Sequence, residues 1–325
     1  MVRGRPLHRI AFGAIYLLQL MESTGGAQDG APLAAPPVTA LAFSPEGRTL
    51  LAGSQGGIEE RLWPGLESAR RIPTTLPHVH DLAFSPDGKL LAAAGGKPGE
   101  EGAVELRAWP DGSLEGRVAS HRDLVYAVAF SLDSQSFSTA GHDGAVGVHA
   151  IAGGKLIRKL EGHSRPVLAV AFLPGGEGLV SAGADMSLRV WDPAGGACVR
   201  ILENHTAPVV DLAARPRAQS GTIAMLASAG EDRTLRLWQP GIGRLVRFIT
   251  LPAKPLAIEW TPDGARVAAA CDDGRVRVVN PDTLDLQVTA PLVQGAAFSL
   301  AFPPGGGRAA AGGEGGRIAS WDTKE

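Results

Sequence analysis

The residues best suited to chemistry in this chain are a histidine, a hydroxyl and a carboxylate that recur together. His163, Ser181 and Asp185 make one set, His205, Ser228 and Asp232 another, and His121, Thr139 and Asp143 a third. On paper each could be an acyl-transfer triad, in which the imidazole takes a hydroxyl proton and the carboxylate steadies the imidazolium. Repetition argues against it. No active site would be built several times over, so the sets read as a structural network. His78 and His80 could place two imidazoles on one side of a strand as a metal pair, but no third ligand is evident, and they read as surface or loop histidines. Asp272-Asp273-Gly274 has the flavour of a calcium loop without the rest of that motif, and reads as a turn with Asx capping. The sequence holds no Cys-x-x-Cys pair, no Gly-x-x-x-x-Gly-Lys-Ser/Thr phosphate loop and no Gly-x-Ser-x-Gly elbow. No catalytic residue, metal ligand or cofactor is therefore expected.

The sets are positioned by a repeat. Phe172 and its equivalents Phe43, Phe84, Phe130, Ala214, Trp260 and Phe302 are spaced 41, 46, 42, 42, 46 and 42 residues apart in chain order. Each unit alternates with a period of two, as in Val167-x-Ala169-x-Ala171 against Leu168-x-Val170-x-Phe172, which is the period of a strand. Ser-Pro-Glu-Gly (Ser44–Gly47), Ser-Pro-Asp-Gly (Ser85–Gly88) and Thr-Pro-Asp-Gly (Thr261–Gly264) follow, each a tight hairpin turn between the first two strands. Offsets inside the units are also kept: Phe130 to Asp143, Phe172 to Asp185 and Trp260 to Asp273 are all 13 residues. Blade 5 has five extra residues within Arg215–Thr222, and blade 2 carries an insertion, Gly96–Gly102, expected to be a mobile surface loop. A period in the low forties with internal strands and turns indicates propeller blades.

The best copy, Gly162 to Asp192, opens on Gly-His and closes on Trp191-Asp192; it resembles the WD-repeat (WD40-type) family. The resemblance implies an all-β, seven-bladed β-propeller of four-stranded antiparallel blades, covering residues 38–325 with blades starting near 38, 79, 125, 167, 209, 255 and 297. It also implies that the sets above are buried polar chains: His163–Ser181–Asp185–Trp191, His205–Ser228–Asp232–Trp238, and a degraded His121–Thr139–Asp143 with His149 in the place of tryptophan. Blades 1, 2, 6 and 7 lack most of such a chain, with Val278-Val279-Asn280 closing blade 6 and Gly315 replacing the aspartate of blade 7. Those four are expected to be the less rigid blades.

Composition sets further bounds. Apolar residues at 44% and charged residues at 20% fit one globular domain, and a net charge of −2 argues against a general nucleic-acid binder. Cys198 and Cys271 fall in different blades and read as small packed residues without a disulfide. No apolar run reaches 18 residues, so no membrane-spanning helix is expected. Residues 1–27 have the order of a secretory signal: Arg3, Arg5, His8 and Arg9, then the apolar run Ile10–Leu20, then Gly25-Gly26-Ala27. Export, with cleavage after Ala27, is the expectation; a cytoplasmic protein, starting at Met1 or Met21, is the alternative. The chain ends four residues after Trp321, so residues 28–37 are expected to serve as lead-in and closing strand, pairing with blade 7 between about Gln28 and Ala35.

In the family, ligand contacts often come from the face lined by the loop into the first strand and the turn between the second and third. Four residues before the reference position stand Thr39, His80, Tyr126, Leu168, Val210, Leu256 and Phe298, apolar from blade 3 to blade 7. The residues before the turn aspartate are His142, Ala184, Glu231, Asp272 and Glu314, so three adjacent blades set a carboxylate beside the arc. Such a patch suits a protein or peptide with a hydrophobic anchor and a Lys or Arg. The function expected is a non-catalytic interaction scaffold, monomeric and without nucleic acid; the alternative is an exported propeller binding or acting on a small molecule in its channel.

Overall fold

The computed structural model describes residues 35–176, 178–216, 224–289 and 291–323. Seven antiparallel sheets are arranged as a ring, six of them with four strands. The seventh has three strands among the described residues, β25 (Ala297–Ala301), β26 (Arg308–Gly313) and β27 (Ile318–Asp322). The first strand of each sheet faces the centre: β1 (Ala40–Phe43), β5 (Val79–Phe84), β9 (Val125–Phe130), β13 (Val167–Phe172), β17 (Val209–Ala214), β21 (Pro255–Trp260) and β25. Each packs on the next, and β25 on β1 completes the circle. The lead-in meets blade 7 where Val38 N–H donates to Gly313 O at 3.0 Å. The expected closing strand at 28–34 and the signal at 1–27 lie outside the described residues, as do positions 217–223 of the blade 5 insertion.

The predicted turns form as their glycines require. Gly47, Gly88 and Gly264 have φ of +66°, +71° and +67°, and their N–H groups close the turns onto Ser44, Ser85 and Thr261. The core lies between sheets: one cluster joins Leu188 and Val190 of blade 4 to Val209, Leu226 and Trp238 of blade 5. Neighbouring blades are also pegged at the rim. Arg70 donates to Asp111 O, Arg158 to Ala194 O and Arg200 to Gly241 O, each capping the last turn of the following blade.

Two sequence expectations need correction. Gly96–Gly102 is no loose loop: it lengthens a hairpin, with Gly96 opposite Gly102 and Lys97 opposite Glu101. Ion pairs Lys97–Glu100 and Glu101–Arg117 hold it, and a side chain at Gly102 would strike Asp123 O. Cys198 is exposed on an outer strand; only Cys271 is packed. Trp63 and Trp109 do not occupy the tryptophan position of their blades. Register puts Arg61 and Arg107 there, opposite Leu50 and Leu91, just as Trp191 stands opposite Leu179. The two indoles instead stand edge-on to Phe43 and Phe84, at 4.8 and 5.0 Å.

Candidate functional site

Hydrogen-bond chemistry fixes the direction of each polar chain. In blade 4 the Trp191 indole, which can only donate, bonds Ser181 Oγ at 2.8 Å. Ser181 O–H is then free to donate to His163 Nε2 at 2.8 Å, so Nδ1 carries the proton and donates to Asp185 at 2.9 Å. Blade 5 repeats this through Trp238, Ser228, His205 and Asp232, at 2.8, 2.7 and 2.9 Å. Burial raises the Asp185 carboxyl, but the His163, Ser187 and Ser164 bonds outweigh it and bring it down to about 2. The same balance holds Asp232 well below the usual carboxylate range. Both hydroxyls are fully buried, and each accepts one hydrogen bond and donates another. No nucleophile is presented to solvent here; the arrangement ties loops to strands.

Blade 3 keeps His121 on Thr139 and Asp143, both at 2.8 Å. His149 is 2% exposed and stacks on Phe137 at 5.0 Å. Burial pushes its imidazole down to about 4, so it is neutral at pH 7.

The seven mouth residues named above do come together. Thr39, His80, Tyr126, Leu168, Val210, Leu256 and Phe298 all line one central channel of 340 Å³. Tyr126, Leu168 and Phe298 are each under a tenth exposed. The arc is thus a packed floor around the mouth and not an open hydrophobic bowl. On the blade 2–3 side Tyr126 OH meets His142 Nδ1 at 2.7 Å, and His80 stands edge-on to Tyr126. Ala184 is buried beneath the floor with Leu124. Asp272 is exposed and accepts Lys254 N–H, while Glu231 and Glu314 are partly exposed at their turns.

Sequence reading missed the channel's own acids. Asp81 and Asp211 lie at the same position of β5 and β17, and Glu259 on β21. Asp81 accepts the N–H groups of Leu82 and of Val128 on the next blade; Asp211 repeats this with Leu212 and Ile258. These carboxylates are cross-blade staples. Each is partly open to the lumen yet walled by protein, and the lining contains no lysine or arginine. Burial, only partly offset by the backbone N–H groups, pushes Asp81 and Asp211 up to about 7; Asp81's charge adds to the effect on Asp211. Burial and the neighbouring Asp211 push Glu259 up to about 8. One signal could have found it: where blade 6 has Glu259, the other blades have Ala42, Ala83, Ala129, Ala171, Ala213 and Ala301. Among the described residues no three His, Cys, Asp or Glu side chains gather as a metal set.

The WD domain, G-beta repeat family matches residues 32–58, 70–99, 112–149, 154–192, 196–239 and 248–280. Each full match runs from an outer strand into the inner three strands of the next blade, so the sequence repeat straddles two sheets. No curated protein matches the chain. With well over half its residues matched and its sheets arranged as seven blades, the chain belongs to the WD-repeat family of β-propellers.

Proposed function

We propose that this propeller is a non-catalytic interaction scaffold whose face around the channel mouth receives a protein or peptide segment. WD-repeat propellers generally act as such scaffolds. The observation that carries the reading is the mouth itself, where seven side chains from seven blades converge on one floor. Glu231, Asp272 and Glu314, each at least partly exposed at a turn of adjacent blades, are read as its acidic border, so the segment carries an apolar anchor and a Lys or Arg. The test is charge reversal of Glu231 and Asp272 together, with quantitative capture of partners by wild type and variant. Loss of the captured set supports the reading; an unchanged set removes this face as the site.

A second reading, an exported propeller that holds or acts on a small molecule in its channel, draws support from Asp81, Asp211 and Glu259. Three carboxyls without a basic partner suit a small organic cation. Calorimetric titration of wild type and Glu259→Ala with simple diamines separates the two readings, since the scaffold reading expects no heat. Export itself rests on Arg3, Arg5 and Arg9 ahead of Ile10–Leu20, and sequencing the mature N-terminus tests it: Gln28 supports export, and an intact Met1 or Met21 removes it. A fourth strand for blade 7 from residues 28–34 draws support from Ala35 and Pro36 running beside Gly316. The monomer is tested by sedimentation.

A further inference from the structure

Register aligns three arginines: Arg189, Arg236 and Arg277, opposite Ser181, Ser228 and Ala269. Arg277 is clamped by both oxygens of Asp273, at 2.8 and 2.6 Å. Arg236 donates to Thr234 Oγ1 at 3.0 Å and lies 3.7 Å from Asp232. Among the described residues Arg189 has no carboxylate partner. Its Nε is buried without an acceptor, because Asp185 is taken up by His163, Ser187 and Ser164. It is a half-buried cation waiting for an anion.

What lies beside Arg189 points to the anion's carrier. Ile201, its cross-strand partner, is on the outer strand β16 (Cys198–Leu202). Ile201 is 47% exposed, and Val199, at the register shift of the strand, is 55% exposed. β16 is the edge of its sheet, and its outward backbone groups have no strand to pair with. Natural edges are guarded by Lys, Pro, acids or bulges; β16 has one register shift, at Val199, and its one charged side chain, Arg200, turns its guanidinium away to Gly241 O of blade 5. The facing wall on blade 3 adds Arg158, and the nearby Glu161 is tied to Lys159.

We propose that the outer edge of blade 4 docks an extended acidic segment of a partner protein. The segment pairs its backbone with β16, lays an apolar side chain on Ile201, and sets a glutamate on Arg189. A residue added opposite Ile201 would sit about 10 Å from the Arg189 backbone, two strand spacings away, within the joint reach of Glu and Arg. The geometry is strand addition, on a surface separate from the channel mouth and independent of the reading proposed for it. A bilayer is the poorer occupant, since open backbone groups are costly in hydrocarbon. A second copy is also poorer, since pairing β16 with itself about its centre opposes Arg200 to Arg200.

The probe is the capped peptide Thr-Val-Thr-Glu-Thr-Val-Thr, titrated by NMR into the full chain beside the same peptide with Gln for Glu. The glutamate peptide should bind about tenfold tighter, the worth of one charge-assisted hydrogen bond. Arg189→Gln should abolish that preference without lowering Tm, since Arg189 makes no bond in the free protein; Arg236→Gln should keep it. Hydrogen exchange should slow at Val199–Leu202 on binding. The proposal fails if the two peptides bind alike, if Arg189→Gln retains the preference, or if protection falls elsewhere. It also fails if residues 199–202 are protected without peptide by concentration-dependent dimerisation, or if anionic vesicles and not the peptide engage Arg189.

Discussion

Blades 4 and 5 and blades 1 and 2 fill the same positions with opposite chemistry. Blades 4 and 5 carry Ser on the second strand and Arg-x-Trp on the third; blades 1 and 2 carry Ala52 and Ala93 with Glu59-x-Arg61 and Glu105-x-Arg107. In one pair a hydrogen-bonded chain runs from indole to carboxylate. In the other the third strand is self-sufficient, with Glu59 bonding Arg61 and Glu105 bonding Arg107. Arg61 and Arg107 each donate onward to a carbonyl five residues later, Leu66 O and Gly112 O. Blade 2 buries its pair almost completely, and Thr74 and Thr75 supply further donors to Glu105. Polar satisfaction thus constrains both pairs, and they meet it in two different ways.

The sharpest break is at Glu105. Glu105→Gln leaves Arg107 buried without its charge partner and should cost about 3–5 kcal/mol. Replacing Glu105 and Arg107 together by leucine should recover most of the loss, whereas Glu59→Gln, in a pair 27% exposed at each end, should cost less than about 1 kcal/mol. Urea unfolding midpoints measure all three. Equal costs at Glu59 and Glu105 would show that burial does not set the difference.

In the other pair, Ser181→Ala strands both the Trp191 N–H and His163 Nε2, and should cost about 2 kcal/mol. Thr139→Ala in blade 3 should cost about half as much, because no indole depends on that hydroxyl. Thermal unfolding of the two variants sets the ratio.

The channel supplies a pH test with two windows of opposite sign. Asp81, Asp211 and Glu259 have folded values raised to about 7, 7 and 8 from 3.8, 3.8 and 4.5. Above pH 4 the unfolded chain releases these protons while the folded chain retains them, so stability falls as pH rises from about 4 to 8. Asp185 has a folded value lowered from 3.8 to about 2; its contribution is present above pH 4 and lost as pH falls through 2. Tm should therefore decline from pH 5 to pH 8, and Glu259→Ala should flatten that decline and raise Tm at pH 8. A variant with the wild-type slope would mean that Glu259 ionises normally in the folded state.

The sequence made the ring legible because offsets of 13 residues and turns such as Ser-Pro-Asp-Gly depend on local chain geometry. The tryptophan chains were legible for the same reason, since Ser181 to Trp191 and Ser228 to Trp238 keep the same step of ten residues. The Glu-x-Arg pairs were hidden by Trp63 and Trp109, which sit two residues past the proper position and invite a wrong alignment; only strand register exposes the shift. Asp81 and Asp211 were invisible as a pair because what unites them is a bond to the next blade, to residues 47 positions away. The unpartnered state of Arg189 could not be read either, because Asp185 stands at the same spacing from it as Asp273 from Arg277.

Blade 7 offers the gentlest test, because it has half of the tryptophan chain. Among the described residues Trp321 Nε1 is buried without a partner, and Ala311 occupies the position held by Ser181 and Ser228. Ala311→Ser should give that indole an acceptor and raise stability by about 1 kcal/mol. The same change at Ala269 of blade 6 should lower it by a similar amount, because Val279 stands where the tryptophan would be and a buried hydroxyl would find no indole. The two variants make one measurement of Tm with opposite signs expected. If both destabilise, the hydroxyl's worth in blades 4 and 5 lies in its bond to histidine, and the indole is there chiefly for its bulk.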